Sequence, residues 1–396
     1  MKWKNKGHEF DEMGKHFENK KKIFIYGAGE IGMEAYKQLE FLDCIEGFID
    51  NDVKKQQLGY MGKSVESIVE FLKRDVGKYI VIVAASLANS PIFIGQLIRQ
   101  GYVEGQNCFL WNRFNECYLP IYAAYGWNKI YFSSISLLPT THCNLNCASC
   151  LSFTPYNKNK RHRDIESLKS DLDSYFQWID YTGLFHISGG EPFLYPNLIE
   201  LLEYIGKEYR HKIKDLTITT NGTVIPLDII CIIMKKYKIN IILDDYTEKI
   251  GKLETLNKIV NLLNEKEIPY IYNKVHNWID LKPLSTDNSY MDEKTLERYY
   301  NACSVPYSSL QEEKIYSCNY ANYAMEAGIM KVEENDYYSL KPFNTKKKIE
   351  LLEFRLGYSK KGYVDMCKQC AGYIPINQNI VPAAEQVVNR SVVTCF

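Results

Sequence analysis

Three cysteines lie close together near the middle of the chain, in a segment whose residues 143–150 read CNLNCASC. Thiolates at this spacing on a tight loop can bind three irons of a four-iron, four-sulfur cluster, which leaves the fourth iron without a protein ligand. An iron with a free coordination position can bind and activate a small molecule. We therefore predict that Cys143, Cys147 and Cys150 hold a cluster with catalytic capacity.

Two other metal centres use the same ligand type. Ferredoxin-type clusters place four cysteines close together, but no cysteine follows Cys150 until Cys231. Zinc also binds thiolates, and a structural zinc site is normally closed by four ligands. Only His142 is near enough in sequence to complete such a site. The spacing favours the open cluster, with zinc as the competing metal.

A second motif lies about forty residues further along the chain. Residues 184–188 read LFHIS, a short strand pattern, and run directly into GGEP at residues 189–192. The order CxxxCxxC then GGEP, each after a predicted strand, resembles the radical S-adenosylmethionine (SAM) superfamily. The resemblance implies that the backbone of Gly189, Gly190 and Glu191 binds the amino group of SAM. It also implies reductive cleavage of SAM to a 5′-deoxyadenosyl radical that abstracts hydrogen from a substrate.

The motif departs from the family at one position. An aromatic residue usually precedes the third cysteine, where this chain has Ser149, so we expect the adenine contact to come from elsewhere. Asn221 and Asp244 end the next two predicted strands and are candidates for contacts to the ribose or carboxylate of SAM. Both are also typical turn residues with local hydrogen bonds.

Strands and helices alternate from residue 131 to residue 272. This alternation is typical of a parallel sheet whose active site lies at the carboxyl ends of its strands. The resemblance implies a partial (βα)6 barrel, which we assign to residues 121–290. Residues Asp245, Tyr246, Asn273 and His276 follow predicted strands and are candidates for lining a substrate pocket. We also predict that residues 380–386 fold back over the mouth of the barrel.

Four further cysteines lie beyond residue 300, where the regular alternation ends. Four thiolates can close a tetrahedral zinc site or fully ligate a second cluster, and the spacing alone does not decide between them. The arrangement resembles the shortened auxiliary-cluster appendage, called twitch, of radical SAM dehydrogenases, without the further cysteines of the SPASM form. It implies a second four-iron cluster in a small α+β domain over residues 291–396. The four ligands would be Cys303, Cys318, Cys367 and Cys370.

The N-terminal part of the chain contains a glycine motif, GAGEIG at residues 27–32, between an apolar β-favouring run and a helical stretch. In this setting Gly27 allows the tight turn, Gly29 lets a pyrophosphate approach the backbone, and Gly32 allows close helix packing. Asp50 ends the next predicted strand, where a carboxylate can accept hydrogen bonds from a ribose diol. Residues 21–120 are thus predicted as a Rossmann-like, doubly wound nucleotide-binding domain, which makes the whole chain an α/β protein.

The substrate prediction depends mainly on this N-terminal segment. It resembles the nucleotide-sugar-binding domain that precedes acyltransferases and other enzymes of surface-polysaccharide biosynthesis. A Rossmann unit that only packs or dimerises is the alternative. We therefore predict a radical SAM oxidoreductase that oxidises or epimerises a sugar or nucleotide-sugar in glycan or secondary-metabolite biosynthesis. A peptide maturase and a non-catalytic zinc-binding scaffold are the competing functions.

Composition sets the remaining bounds. Lys plus Arg equals Asp plus Glu at 48 each, so the net charge gives no indication of nucleic acid or an anionic membrane as a partner. The longest apolar runs fall short of the ~20 residues of a membrane-spanning helix. Residues 1–20 are polar, without the apolar core of a signal peptide, and are predicted as a loose tail. We expect a cytoplasmic location, reduced thiols and an external electron donor such as flavodoxin or ferredoxin.

Five cysteines belong to neither group. We predict that they are small buried apolar residues, because a free cysteine packs like a small hydrophobic side chain. They are Cys44, Cys108, Cys117, Cys231 and Cys395.

Overall fold

The computed structural model describes residues 1–331 and 333–387, and the chain divides into two compact units. One unit comprises residues 7–133, and the other comprises residues 1–6 together with the chain from residue 134 onward. The division therefore lies inside a strand, Tyr131–Leu137, and not at the predicted residue 120. The segments predicted as separate barrel and auxiliary domains share one unit, because strands of the second extend the sheet of the first.

The N-terminal unit is built on a five-stranded parallel sheet in the order β3-β2-β1-β4-β5. All four residues of the central strand are buried, as the near-continuous apolar run predicts for a parallel strand. The strands are β1 (Ile23–Tyr26), β2 (Ile45–Ile49), β3 (Ser64–Glu66), β4 (Ile80–Val83) and β5 (Cys108–Leu110). The helices are α1 (Asp11–Gly14), α2 (Glu30–Leu39), α3 (Val53–Leu58), α4 (Ile68–Phe71), α5 (Ser90–Ile98), α6 (Trp111–Arg113) and α7 (Leu119–Ile121).

Residues 1–20 were predicted as a loose polar tail, and the structure corrects this. Phe17 is fully buried in the N-terminal unit, where its ring packs against Phe109 and Tyr122. In the other unit the indole Nε1 of Trp3 donates a hydrogen bond of 2.8 Å to Glu353. The average polarity of residues 1–20 did not indicate these two aromatic contacts, because charged residues lie between Trp3 and Phe17 in the sequence.

The second unit is organised on a large sheet in the order β10-β9-β8-β7-β6-β12-β13-β14. Strands β7 to β10 pair in parallel, and β13 pairs antiparallel with both of its neighbours. A separate antiparallel pair joins β11 and β15. The strands are β6 (Tyr131–Leu137), β7 (Tyr181–Ile187), β8 (Ile213–Thr220), β9 (Ile239–Asp245), β10 (Tyr270–Lys274), β11 (Asn277–Ile279), β12 (Ser308–Gln311), β13 (Lys314–Tyr316), β14 (Tyr337–Ser339) and β15 (Ile380–Pro382).

Helices connect the strands of this sheet. The first of them, α8, begins after Asp164, whose carboxylate accepts a hydrogen bond of 2.9 Å from the Ser167 amide and so caps the helix. It ends at Trp178, because β7 begins at Tyr181. The helices are α8 (Ile165–Trp178), α9 (Leu198–Tyr204), α10 (Asp228–Tyr237), α11 (Thr247–Ile250), α12 (Leu253–Glu265), α13 (Glu293–Ala302), α14 (Asn319–Glu326) and α15 (Lys348–Arg355).

The predicted partial (βα)6 barrel is correct for five strands and wrong for the sixth. Strands β6 to β10 are neighbours in chain order, but the next strand of the sheet, β12, pairs in parallel with β6 instead of following β10. The register places Ser308 beside Ile135 and Leu310 beside Leu137. Residues that follow Cys303 are thereby brought next to β6, the strand that leads to the cysteine loop.

The isolated cysteines follow the prediction with one exception. Cys44, Cys108 and Cys231 are at most 1% exposed, whereas Cys117 is exposed. Cys395 lies outside the described residues. No helix in the described part of the chain has the length and the apolar composition that crossing a membrane requires.

Candidate active site

The cysteine loop follows the carboxyl end of β6, and its three thiols line one cavity of about 250 Å³. Cys147 is 6% exposed, and Cys143 and Cys150 are partly buried. Burial is the largest cause that raises the pKa of Cys143 to about 12, with smaller contributions from Cys150, Glu191 and Cys147. Burial likewise raises the pKa of Cys147 to about 11. Cys143 and Cys147 are therefore protonated at neutral pH, and they lose their protons when a metal binds.

The two glycines of GGEP bring the β7 loop against the cysteine loop. A Cβ on Gly190 would collide with the His142 carbonyl, and one on Gly189 would lie 2.8 Å from the Thr140 carbonyl oxygen. Their close approach allows the Gly190 amide to donate to Thr140 O at 2.9 Å and the Glu191 amide to donate to His142 O at 2.8 Å. These two N–H groups are thus occupied. An ammonium group of a ligand needs acceptors, which the carbonyl oxygens of this turn can supply.

The Glu191 side chain is buried and bonds to other groups of the protein. It is 0% exposed, and it accepts hydrogen bonds from the Thr220 hydroxyl at 2.9 Å, the Asn221 amide at 2.9 Å and the Phe193 amide at 3.2 Å. Burial raises its pKa to about 7. The carboxyl group fastens the end of β7 to the end of β8 and does not line the cavity. Any ligand contact made by this residue comes from its backbone.

Asn221 and Asp244 both line the cavity, as predicted for residues that end strands. The Asn221 side-chain amide lies 3.6 Å from the Cys143 sulfur and donates to the Asn144 side chain at 3.1 Å. Asp244 accepts hydrogen bonds from the Tyr246 hydroxyl at 2.9 Å, and burial raises its pKa. One amide and one carboxyl group therefore face the space beside the thiols.

Aromatic side chains also border the thiols, although the sequence motif lacks one. Tyr246 and Trp278 line the cavity with their rings 5.4 Å apart and edge to face, and Trp278 packs against the cluster of buried residues that includes Cys147. Trp278 stands on β11, and a lone tryptophan after the last predicted barrel strand gave no local signal of this role. Its ring is suited to the adenine contact that Ser149 cannot make.

Hydroxyl groups and a neutral imidazole form the floor of the cavity. The Tyr323 and Ser188 hydroxyls line it and lie within hydrogen-bond distance of the Ser136 hydroxyl, which does not line the cavity, at 2.9 Å and 3.1 Å. His186 is bound through Nε2 to the Thr219 hydroxyl at 2.7 Å, and burial lowers its pKa to about 4. The imidazole is therefore uncharged at neutral pH. No part of this floor was predicted from the sequence, because its members come from separate segments of the chain.

Asn319, at the start of α14, adds an unpaired acceptor to this floor. The residue is 3% exposed and lines the cavity, and its side-chain oxygen is buried without a hydrogen-bond partner. A buried amide oxygen without a partner costs about 1–3 kcal/mol, which a ligand that donates a hydrogen bond would relieve. Among the cavity-lining residues in the described chain there is no Lys or Arg.

Residues 137–268 match the family model described as Radical SAM superfamily. This segment, 132 of the 396 residues, is similar to a radical SAM domain. The match begins at the last residue of β6 and ends before β10, so it contains both the cysteine loop and the glycine turn. The matched family uses a four-iron cluster and SAM. The three thiols, the carbonyl-rich turn and the aromatic rings around one cavity fit that pair of groups in donor type.

Solved structures with a similar arrangement include three of radical SAM enzymes. SuiB of Streptococcus suis bound to SAM has 20% identity, covers 47% of this chain and 44% of its own, and gives a TM-score of 0.29. The anSMEcpe structure with bound AdoMet has 15% identity, coverage of 55% and 79%, and a TM-score of 0.40. BtrN in complex with AdoMet and 2-DOIA has 17% identity, coverage of 60% and 92%, and a TM-score of 0.37. These scores are too low to transfer a substrate. No curated protein matches the sequence.

Beyond the radical SAM domain, the four later cysteines also meet in space. All four line one small second cavity, although they come from three separate segments. Cys318, Cys367 and Cys370 are at most 8% exposed, and burial is the main cause that raises their pKa values. Tyr320 lines this cavity and the first one, so its ring is a wall common to both.

The four thiols of the second cavity supply a donor type that two metal centres use. A zinc ion holds all its sulfur ligands at about 2.3 Å from one point, whereas a four-iron cube binds each thiolate through a different iron. Among residues 1–331 and 333–387, no three His, Cys, Asp or Glu side chains are arranged to bind a single metal ion.

In the N-terminal unit the three motif glycines differ in what the fold requires of them. Gly27 has a positive φ of 115°, and a Cβ on Gly32 would collide with the Gly27 carbonyl. Gly29 has a φ of −109°, and a Cβ there would meet nothing within 4 Å. Asp50 accepts hydrogen bonds of 2.9 Å from the amides of Ala28 and Asp52, which lower its pKa against the opposing effect of burial. Its carboxylate therefore stabilises the glycine turn itself.

Of the other predicted pocket residues, Tyr246 lines the cavity and the remaining three do not. Asp245 binds the Thr247 amide at 2.8 Å, Asn273 donates to Asp244 at 2.8 Å, and His276 is exposed beside Glu248. Asp245 and Asn273 lie near the ends of β9 and β10, and His276 follows β10, but their side chains contact neighbouring protein groups. Residues 380–386 lie against the cysteine loop, as predicted, with the Ala148 amide donating to Glu385 O at 2.7 Å.

Proposed function

We propose that this protein is a radical SAM oxidoreductase that takes a hydrogen atom from a hydroxyl-bearing small molecule of the sugar or nucleotide-sugar type, leading to oxidation or epimerisation. The observation that carries this proposal is the composition of one cavity. Three thiols and a glycine turn border one side of it, and hydroxyl, amide and neutral imidazole groups form the floor. When bound, the cluster and SAM supply a 5′-deoxyadenosyl radical.

The protein's own residues have separable tasks in this proposal. Cys143, Cys147 and Cys150 hold the cluster. The carbonyl groups of the turn at Gly189 and Gly190 bind the ammonium group of SAM, with Asn221 and Asp244 beside its ribose and carboxylate. Tyr246 and Trp278 shield the adenine and exclude water.

The floor supports an uncharged polyhydroxyl substrate. The Ser188 and Tyr323 hydroxyls and the Asn319 amide can each exchange hydrogen bonds with substrate hydroxyl groups, while the nearby Tyr307 ring offers an apolar face. Among the described residues, the lining has no Lys or Arg to pair with a phosphate, which favours an unphosphorylated reacting end. His186 has a pKa too low for an efficient general base near pH 7, so we assign it to positioning.

We propose that Cys303, Cys318, Cys367 and Cys370 bind a second four-iron cluster. A cluster with a protein ligand on every iron has no open position, so its role is to accept the second electron or to form a wall of the substrate site. An external donor of the flavodoxin or ferredoxin type would reduce the first cluster. Cytoplasmic reducing conditions agree with thiols that form no disulfide among the described residues.

We propose a Rossmann-like nucleotide-sugar site for the N-terminal unit. Gly29 supports it, because neither its backbone angle nor its surroundings need a glycine. Close approach of a ligand to the backbone is then the physical reason for a residue without a side chain. Gly29→Ala is expected to leave thermal unfolding unchanged and to weaken binding of a UDP-sugar probe, whereas Gly32→Ala destabilises the unit by steric collision. Equal probe binding by wild type and Gly29→Ala would remove this assignment.

The whole proposal is tested by anaerobic reconstitution of the full chain with iron and sulfide. Reduction by dithionite in the presence of SAM should give 5′-deoxyadenosine, and elemental analysis should give about eight irons per chain. No 5′-deoxyadenosine from an iron-loaded protein would sink the catalytic assignment. Zinc in both groups without sulfide would establish a scaffold instead.

A further inference from the structure

The last described residues hold the cysteine loop from outside. We name residues 380–387 the clasp. Its first part, β15, pairs antiparallel with β11, with Ile380 opposite Ile279 and Val381 opposite Trp278. The Ala383 amide then donates a hydrogen bond of 2.9 Å to the His276 carbonyl. The clasp is thus anchored on the segment that carries Trp278.

Beyond this anchor the clasp pairs with the cysteine loop itself. The Ala148 amide donates to Glu385 O at 2.7 Å, and the Val387 amide donates to Asn146 O at 2.8 Å. These bonds bracket an antiparallel bridge between Cys147 and Gln386. Two buried alanines of the clasp, Ala383 and Ala384, pack in the same apolar cluster as Cys147. The outer side of Cys147 is therefore covered by the clasp.

The Gln386 side chain is oriented toward the sulfur by bonds to other groups. Its Oε1 accepts a hydrogen bond of 2.8 Å from the Asn146 amide, and its Nε2 donates to Ala384 O at 2.8 Å. The same Nε2 lies 3.1 Å from Cys147 Sγ, in donor geometry. Because a side-chain amide nitrogen has two hydrogens, one bond to the carbonyl leaves one hydrogen for the sulfur.

The backbone of the clasp is strained at this point. Ala384 has a φ of 55°, a left-handed conformation that costs a non-glycine residue about 1 kcal/mol or more. It is 0% exposed and held by the packing and hydrogen bonds on both sides. Such strain persists only where surrounding contacts determine the conformation. The turn directs the Glu385 carbonyl and the Gln386 side chain to the loop.

We propose that Gln386 is a positioning residue for the first cluster, and that its side-chain N–H donates a hydrogen bond to the Cys147 thiolate. The inference rests on the proposed function only in placing a cluster on this loop. A hydrogen bond to a ligand sulfur stabilises the more negative, reduced form and so raises the reduction potential. The clasp therefore tunes the centre and closes its outer side to solvent.

The direct test is a redox titration followed by electron paramagnetic resonance on reconstituted full-length protein. The signal of the first cluster is the one that disappears when Cys143, Cys147 and Cys150 are replaced by alanine. Gln386→Leu should move its midpoint potential to a more negative value, and Gln386→Glu should move it further, because a carboxylate adds charge yet keeps the acceptor for Asn146. Gln378→Leu removes an exposed glutamine that bonds only Pro375 O and should change nothing.

A second measurement does not need the cluster. In the metal-free full chain, the pH profile of iodoacetamide alkylation, followed by mass spectrometry, should shift to higher pH for Cys147 in Gln386→Leu, because the variant lacks the N–H donor that stabilises the thiolate. The exposed Cys117 gives the internal reference rate. An unchanged profile together with an unchanged potential would overturn the clasp proposal while leaving the radical SAM assignment intact. A shifted profile in a protein that never cleaves SAM would keep the clasp and discard the enzyme.

Discussion

The two cysteine groups place their thiols around a cavity in two different ways. The first uses residues 143–150 of a single loop at a strand end, bordered by an open cavity. The second joins the end of α13, the residue before α14 and a turn at residues 367–370 around a smaller cavity. A single loop that supplies three ligands leaves one coordination position of a metal centre free. Ligands from separate segments instead connect those segments to one another through the metal. We therefore expect the first group to determine reactivity and the second to determine stability.

The largest effect is expected when the first group is removed. Replacing Cys143, Cys147 and Cys150 together by alanine should reduce 5′-deoxyadenosine formation to background and iron from about eight to about four per chain. Thermal unfolding should change little, since the loop stays bonded to the glycine turn and the clasp. Complete loss of iron in this variant would show that the two groups are not independent.

Substitutions in the second cysteine group should affect thermal stability more than those in the first group do. Metal binding to a site assembled from separate segments contributes directly to folding free energy. Cys318→Ser should therefore lower the Tm of the iron-loaded protein clearly more than Cys147→Ser does. Anaerobic differential scanning calorimetry of the two variants measures this. Equal Tm losses in the two variants would contradict the expectation that the second cysteine group determines stability.

Glu191 gives a pH-dependent test of how the first site is supported. Its folded pKa of about 7 exceeds the ordinary value of 4.5, so between these values the folded protein holds a proton that the unfolded chain has lost. The unfolding free energy should fall by up to about 3 kcal/mol as the pH rises through this window. Glu191→Gln removes this dependence, which urea unfolding at pH 5 and pH 8 detects. Glu208→Gln, at an exposed carboxylate, should retain the wild-type pH profile.

The smallest effects are expected from substitutions of two asparagines, one beside each cysteine group. Asn288 is 7% exposed and donates to the carbonyls of Cys367 at 2.9 Å and Cys370 at 3.0 Å. Asn288→Ala removes the side-chain donor from both carbonyls, of which Cys370 O keeps the Tyr299 hydroxyl at 2.9 Å, and should cost about 1–3 kcal/mol in urea unfolding. Asn221→Ala, in the partly exposed first site, should cost less than about 1 kcal/mol and weaken SAM binding. A larger stability loss at Asn221 would reverse the comparison.

The sequence predicts the features of the site that depend on residues close together in the chain. The cysteine loop, the glycine turn and the strand-ending residues Asn221 and Asp244 all border one cavity, because parallel strands bring their carboxyl ends together. The sequence also predicted the four later cysteines as one group, by their number. The order of the strands in the second half of the chain could not be predicted from the sequence, since the pairing of β12 with β6 depends on contacts between residues far apart in sequence.

The same limit explains the site residues that were missed. Trp278, Asn319 and Tyr323 border the cavity from a short strand and a late helix, and none belongs to a spaced motif. The predicted His276 and Asn273 follow a strand end but turn to neighbouring side chains. The polar N-terminal residues hid Phe17 in the same way, because one buried ring decides packing without changing the average composition.

The clasp has a consequence for how the protein matures. Gln386 and Cys147 are 239 residues apart, so ribosomal synthesis exposes the three early thiols long before the strand that covers them exists. During that interval the loop is accessible to an iron carrier from its outer side. Once residues 383–387 have paired with the loop, a carrier that approaches from this side has to displace them.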